Sequence, residues 1–213
     1  MSKALLICNG EKPGVWLKKL AKQVDFILAA DGGADAALSA GIIPDTVIGD
    51  LDSVSPRTKK RLKDISFIEV KRQDNTDLEK ALDWLIDQGF TQIMIAGAVG
   101  GRLDFTIGNL LLVRPYLKHA QICFCGPDWT VYPRLSGCTF SAQKGARLSL
   151  IPLSYCRGVT LSGCRYALNH ENIGRQYVGR TLSNQVTSSK ISLSLSTGFL
   201  LIYIENTPQK KRI

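Results

Sequence analysis

Two hydrophobic rhythms divide the chain. Up to about residue 126, short runs of β-branched and aliphatic residues at 4–8, 26–30, 46–48, 67–70, 93–96 and 121–124 alternate with segments of helical spacing. Strands separated by helices predict crossover connections, and with them a mostly parallel, Rossmann-like sheet covered by helices. The best-marked helix opens at Thr76, where Thr76-Asp77-Leu78-Glu79 has the form of a capping box, and runs through Leu78, Leu82, Leu85 and Ile86 to a stop at Gly89. Beyond residue 126 the helical period gives way to short alternating runs, among them 147–151, 158–161, 191–195 and 199–204. Glycine and serine punctuate them. The pattern therefore predicts an α/β domain over 1–126, an all-β sandwich over 127–206 and a basic tail over 207–213.

Composition narrows the class. Of 213 residues 45% are hydrophobic and 21% charged, ample for buried cores and too apolar for a disordered chain. No apolar run approaches the roughly 20 residues of a membrane-crossing helix, and the N-terminus lacks the pattern of a signal peptide, which predicts a cytoplasmic protein with no membrane partner. Twenty-seven Lys and Arg against eighteen Asp and Glu leave a net charge of +9, favouring phosphate-bearing partners. Six cysteines without a Cys-x-x-Cys pair, and only two histidines, argue for reduced thiols and against a structural zinc site. Lys59, Lys60, Arg61 and Lys63 form a basic cluster with no stacking aromatic, read as a solvated helix face rather than a nucleic-acid site.

The candidate chemistry lies where the predicted strands end. Asp31 follows the second strand, Asp50 and Asp52 the third, Asp74 and Asp77 the fourth, and Asp104 comes shortly after the fifth. In an open parallel sheet these ends share one edge, and ligands bind in the crevice outside it. Turn formation or helix capping explains any one aspartate; it does not require carboxylates at successive strand ends. A gathered set repels itself unless a cation sits among it, and Mg2+, which takes oxygen ligands and substrate phosphates, suits such a set. Glycines supply the other half. Asp31-Gly32-Gly33 and Gly100-Gly101-Arg102 each lie between a strand and a helix, where bare backbone N–H groups can hold phosphate oxygens, with Arg102, Lys71 and Arg72 as possible neutralising charges. Neither segment is a Walker loop or a dinucleotide fingerprint.

In order and spacing, Ala30-Asp31-Gly32-Gly33-Ala34, Ile48-Gly49-Asp50-Leu51-Asp52-Ser53, Gln73-Asp74-Asn75-Thr76-Asp77 and Gly100-Gly101-Arg102-Leu103-Asp104 closely resemble the thiamine pyrophosphokinases, and Ser183-Asn184 followed by paired strands resembles that family's C-terminal domain. The resemblance implies transfer of a pyrophosphoryl group from ATP to the thiamine hydroxyl, giving thiamine diphosphate and AMP, in a homodimer whose subunits share the active site. It implies that Asp50, Asp52 and Asp77 hold Mg2+, that Gln73 and Asp104 line the reacting centre with Asp77 or Asp104 accepting the hydroxyl proton, and that Ser183 and Asn184 contact thiamine. Two departures stand out: Phe105 follows Asp104 where relatives often have His, and Gln185-Val186 follows Ser183-Asn184 where some have a stacking Trp, so an aromatic platform must come from elsewhere. The rival readings are another Mg2+-dependent nucleotide phosphotransferase or hydrolase and, from a different class, a nucleic-acid-binding module.

Overall fold

The computed structural model describes residues 2–10, 14–71 and 74–205, without the side chains of Arg175 and Tyr177. Arg72, Gln73 and the 207–213 tail lie outside the described residues. The chain divides into two compact units, Met1–Pro127 and Asp128–Ile213.

In the first unit, strands β1 (Lys3–Ile7), β2 (Phe26–Ala30), β3 (Thr46–Gly49), β4 (Ser66–Glu69), β5 (Gln92–Ala96) and β6 (Gln121–Cys125) alternate with helices α1 (Trp16–Ala21), α2 (Gly33–Ser39), α3 (Pro56–Arg61), α4 (Asp77–Asp87) and α5 (Leu103–Leu112). They pair in the order β6-β5-β1-β2-β3-β4, every pair parallel. Helices on the sheet faces explain the unbroken apolar runs: Ala4, Leu5, Leu6 and Ile7 of β1 are all buried. One core packs Leu5, Ile7 and Ala96 against Leu17, Ala36 and Ala37; another packs Ala29 and Val47 against Ala34, Val54 and Leu62.

The strand order fixes the position of the crevice. From β1 the chain winds outward through β2, β3 and β4; α4 then carries it back, so that β5 lands on the other side of β1 and winding continues the opposite way to β6. The loops leaving β1 and β5 therefore part company, opening a gap at the carboxyl edge between them. The capping box at α4 forms as expected: Thr76 Oγ1 accepts from the Glu79 N–H at 3.3 Å and the Glu79 carboxylate accepts from the Thr76 N–H at 2.9 Å. Leu78, Ala81, Leu82 and Leu85 form the buried stripe of this helix, and Asp77 is its first residue.

The second unit is a sandwich of antiparallel strands. One layer runs β12 (Asn184–Gln185), β9 (Arg147–Pro152), β14 (Leu200–Glu205) and β7 (Trp129–Arg134); the other runs β11 (Leu168–Ile173), β10 (Cys156–Ser162), β13 (Lys190–Ser194) and β8 (Cys138–Ser141). Leu148, Leu150, Leu200 and Ile202 from the first layer and Val159, Leu161, Ile191 and Leu193 from the second close one core.

Candidate active site

A cavity of about 490 Å³ occupies the gap between β1 and β5, lined by the Cys8-Asn9-Gly10 loop, by Gly97, Ala98, Gly100, Gly101 and Arg102, by Asp31, and by Thr76 and Asp77 at the start of α4. Close backbone approach builds it. The Gly10 N–H donates to the Gly97 carbonyl at 2.6 Å, and Gly97 adopts φ 71° with its α-carbon against Cys8, leaving no room for a side chain. Buried Asn109 of α5 donates through Nδ2 to the Ala98 carbonyl at 2.6 Å, tying the glycine loop to the helix that follows it. The Gly100 N–H donates to Thr106 Oγ1.

Beside the cavity the carboxylates of Asp31, Asp50 and Asp77 converge, with one oxygen from each within 4.8 Å of the others. Their backbone is strained to bring this about. Asp31 has φ 45°, while its N–H is held by the Ile48 carbonyl at 2.8 Å, and Leu51, just past Asp50, has φ 63°. Gly49 has φ 147°, and a β-carbon there would come within 3.0 Å of Asp31 Cβ and 3.3 Å of Asp77 Oδ1. Glycine is thus what allows the carboxylates of two different loops to meet. At an effective dielectric near ~20, two unit charges about 4.8 Å apart repel by roughly 3.5 kcal/mol.

Lys80 offsets part of this. Its side chain is only 4% exposed, and Nζ stands 2.9 Å from Asp77 Oδ1 and 4.0 Å from Asp50 Oδ2. Burial raises the Asp77 carboxyl above its ordinary value; the Lys80 hydrogen bond and charge oppose the rise, and Asp50 and Asp31 add to it. Burial, then the charge of Asp77, pushes the Cys8 thiol up to about 12, so it stays a neutral lining group.

The other expected site residues are distributed as follows. Asp52 is exposed and accepts from Ser53 Oγ at 2.9 Å; among the described residues it does not join the converging three, whose third member is Asp31. Gly33 packs against the end of β1, allowing the close approach of α2 to that strand, and Gly32 packs against the side chain of Asn9, which lines the cavity. Lys71 is exposed and paired with Glu69 at 3.6 Å. Arg102 lines the cavity, lies 4.4 Å over the Phe105 ring and grips Asp104 through Nη2 at 2.6 Å, both side chains being largely exposed. That hydrogen bond, with a further one from the Phe105 N–H, holds the Asp104 carboxyl below the usual carboxylate range.

Ser183 and Asn184 stand in the second unit. The Asn184 side chain is buried and committed to the backbone: Oδ1 accepts from the Tyr166 N–H at 3.0 Å and from the Gln185 N–H at 2.9 Å, and Nδ2 donates to the Tyr166 carbonyl at 2.7 Å. Exposed Ser183, at φ 57°, donates its N–H to Ser149 Oγ. Through Asn184 the pair is fixed beside Tyr166, a residue 61% exposed. Sequence reasoning did not pick out Tyr166, Asn9, Asn109 or Lys80. The missing aromatic after Ser183-Asn184 was the one available signal, and it pointed only to a vacancy.

Comparison with known proteins covers both units. The model of the thiamin pyrophosphokinase catalytic domain matches residues 17–124, and that of the thiamin pyrophosphokinase vitamin B1 binding domain matches 138–200. Thiamine pyrophosphokinase of Bacillus subtilis is 30% identical over 185 residues, covering 82% of this chain and 85% of that protein. The crystal structure of the Bacillus subtilis thiamine pyrophosphokinase aligns with a TM-score of 0.82 at 26% identity over 97% of this chain and 100% of that one. That of the Geobacillus thermodenitrificans thiamin pyrophosphokinase aligns with a TM-score of 0.82 at 26% identity over 99% of each. Thiamin pyrophosphokinase from Candida albicans, at 19% identity, shares the fold with a TM-score of 0.83 over 97% of this chain and 89% of that one.

Proposed function

The chain belongs to the thiamine pyrophosphokinase family, and on that premise we infer that it transfers the pyrophosphoryl group of ATP to the hydroxyl of thiamine, giving thiamine diphosphate and AMP. The observation that carries the reading is the meeting of Asp31, Asp50 and Asp77 beside a glycine-walled cavity at the point where the sheet reverses its winding. In the reaction the thiamine oxygen bonds to the β-phosphorus and the bond from that phosphorus to the oxygen bridging it to the α-phosphorus breaks. AMP departs with the bridging oxygen and the hydroxyl proton is released.

Three hard oxygen donors so close together suit Mg2+, and we assign it to Asp31, Asp50 and Asp77, with Asp52 on the adjoining turn. When bound, such an ion neutralises charge on the phosphate oxygens around the breaking bond. The chain's own groups orient the substrates. The Gly97 to Gly101 loop offers backbone to the phosphates, and Arg102 turns to a phosphate oxygen. Drawing Arg102 away frees the Asp104 carboxylate oxygens from their ion pair, and Asp104 then accepts the hydroxyl proton as nucleotide binds. Ser183 contacts thiamine, Asn184 fixes the loop that does so, and Tyr166 supplies the aromatic face absent after Asn184. Exposed Leu103, Ile107 and Leu111 on α5 support assembly as a homodimer. No helix among the described residues is long and apolar enough to cross a membrane, and the six cysteines, none of them in a disulfide, suit a reducing, cytoplasmic compartment.

Incubating the protein with ATP, thiamine and Mg2+ and identifying the products tests the reading. AMP with thiamine diphosphate is expected. ADP with a monophosphate ester would make it an ordinary kinase, and phosphate release without a thiamine product would make it a hydrolase.

A further inference from the structure

Lys80 has no place in the reading of the sequence, yet among the described residues it is one of two buried charged side chains, the other being Asp31. It lies three residues after Asp77 on α4, and its ammonium reaches toward the strand ends, 2.9 Å from Asp77 Oδ1 and 4.0 Å from Asp50 Oδ2. A lysine so enclosed is stable only against opposite charge. The carboxylates need it equally, since three of them otherwise share one small volume.

We propose that Lys80 is the resident counter-ion of this acidic rim: it holds Asp50 and Asp77 in position before any metal arrives, and it sets the charge that the metal must match. Three carboxylates and one ammonium sum to −2, the complement of a single divalent ion. Without the ammonium the same rim carries −3, which a divalent ion leaves under-neutralised and a trivalent ion balances. Lys80 is thus a positioning residue that makes the rim tolerable when empty and weakens its grip when filled, since the ammonium competes for Asp77 Oδ1. An ion held too tightly would hinder departure of the nucleotide it accompanies. The inference deepens the functional reading and rests on it only for the consequence in turnover.

The test uses the full chain and the variant Lys80→Met, which keeps the apolar stem of the side chain. Thermal unfolding is followed in EDTA and across a Mg2+ titration, and binding of Mg2+ and of Tb3+ is measured directly without nucleotide. Lys80→Met should lose about 5 °C or more in EDTA and regain most of it in saturating Mg2+. It should bind Mg2+ about tenfold more tightly than the parent and favour Tb3+ over Mg2+ more strongly still. Lys80→Arg, which keeps the charge, should retain the parent's Mg2+ affinity. The inference is overturned if Lys80→Met binds Mg2+ no more tightly, or if its loss of stability persists in saturating Mg2+, which would make Lys80 a packing residue only. If Lys80→Met folds only with Mg2+ present, the inference stands. Failure of the functional reading shows differently: the parent protein then yields no AMP from ATP and thiamine, whatever the titrations give.

Discussion

The polar groups of the two units are stabilised in opposite ways. At the rim of the parallel sheet, Asp31, Asp50 and Asp77 face one another, with Lys80 compensating only part of their charge. In the sandwich, buried Asn184 makes three hydrogen bonds to the backbone of Tyr166 and Gln185, and buried Thr181 donates to the Leu150 carbonyl at 2.7 Å. Both regions include a non-glycine residue at positive φ, Asp31 in one and Ser183 in the other. Backbone strain therefore does not distinguish them. What does is charge: the buried Asn184 and Thr181 side chains of the sandwich are neutral and held by backbone groups, whereas the rim gathers three carboxylates against a single ammonium. Local rules broken without internal compensation mark the place where function resides.

The comparison is tested most severely by Asp50→Asn. Removing one of three repelling charges should lower the Mg2+-dependent rate by about 10³-fold, or roughly 4 kcal/mol of transition-state stabilisation, while leaving the unfolding temperature in EDTA unchanged or raised. Steady-state kinetics beside a thermal melt measures both. Full turnover at ordinary Mg2+ concentration would dissolve the contrast between the units, because the rim would then be as self-sufficient as the sandwich.

The converse substitution lies in the second unit. Asn184→Ala leaves the part-buried Tyr166 N–H and carbonyl and the Gln185 N–H without their side-chain partner, and should cost about 2–3 kcal/mol of stability by denaturant unfolding. Its kinetic effect should fall on KM for thiamine, through a loosened Tyr166, with kcat changed less. A stability loss under about 0.5 kcal/mol would mean that the Asn184 clamp is dispensable.

Much of the first unit was legible because its strands are buried on both faces and so appear as unbroken apolar runs: 26–30 and 93–96 coincide with β2 and all but the first residue of β5. Thr76-Asp77-Leu78-Glu79 announced α4 because both halves of its capping box are local. The sandwich was harder. β11 is Leu-Asn-His-Glu-Asn-Ile with only its two ends buried and does not alternate as a half-buried strand should, and β7, which does alternate, carries Pro133, a residue that argues against a strand. In the site, the gathering of aspartates followed from strand ends sharing an edge. Asp31 was part of that gathered set; that it, rather than Asp52, stands with Asp50 and Asp77 did not follow, because this depends on a left-handed residue meeting a neighbour across Gly49. Lys80 was hidden for a related reason: a lysine on an amphipathic helix normally reads as solvated even with Asp77 three residues before it, and only the tertiary approach of α4 to β3 buries it and brings Asp50 within reach. The loop from Cys8 to Gly10 became part of the site only once β5 was seen to pair with β1, a contact about 90 residues apart in the chain.

The smallest effect belongs to a first-unit carboxylate that behaves like the sandwich. Asp35 accepts from the Ser55 N–H at 2.9 Å, from Ser55 Oγ and from Thr58 Oγ1 at 2.7 Å, pinning α2 to the start of α3. Burial by itself would raise its pKa, but the Ser55 and Thr58 hydrogen bonds outweigh burial and hold the carboxyl below the ordinary range. Its folded pKa therefore lies below the unfolded value of about 3.9, so the native state binds fewer protons between the two. The stabilisation is full above the unfolded value and is lost as pH falls through the folded one. Asp35→Asn should accordingly cost about 1–2 kcal/mol near neutral pH, with the gap to the parent closing as the acid limb is reached, whereas the cost of Asn184→Ala should stay level over the same range. Paired denaturant melts from pH 7 down to about pH 2 would separate the two. A pH-independent Asp35→Asn cost would mean that its charge contributes nothing beyond the shape of the side chain, and that satisfaction from within cannot be assigned residue by residue in this unit.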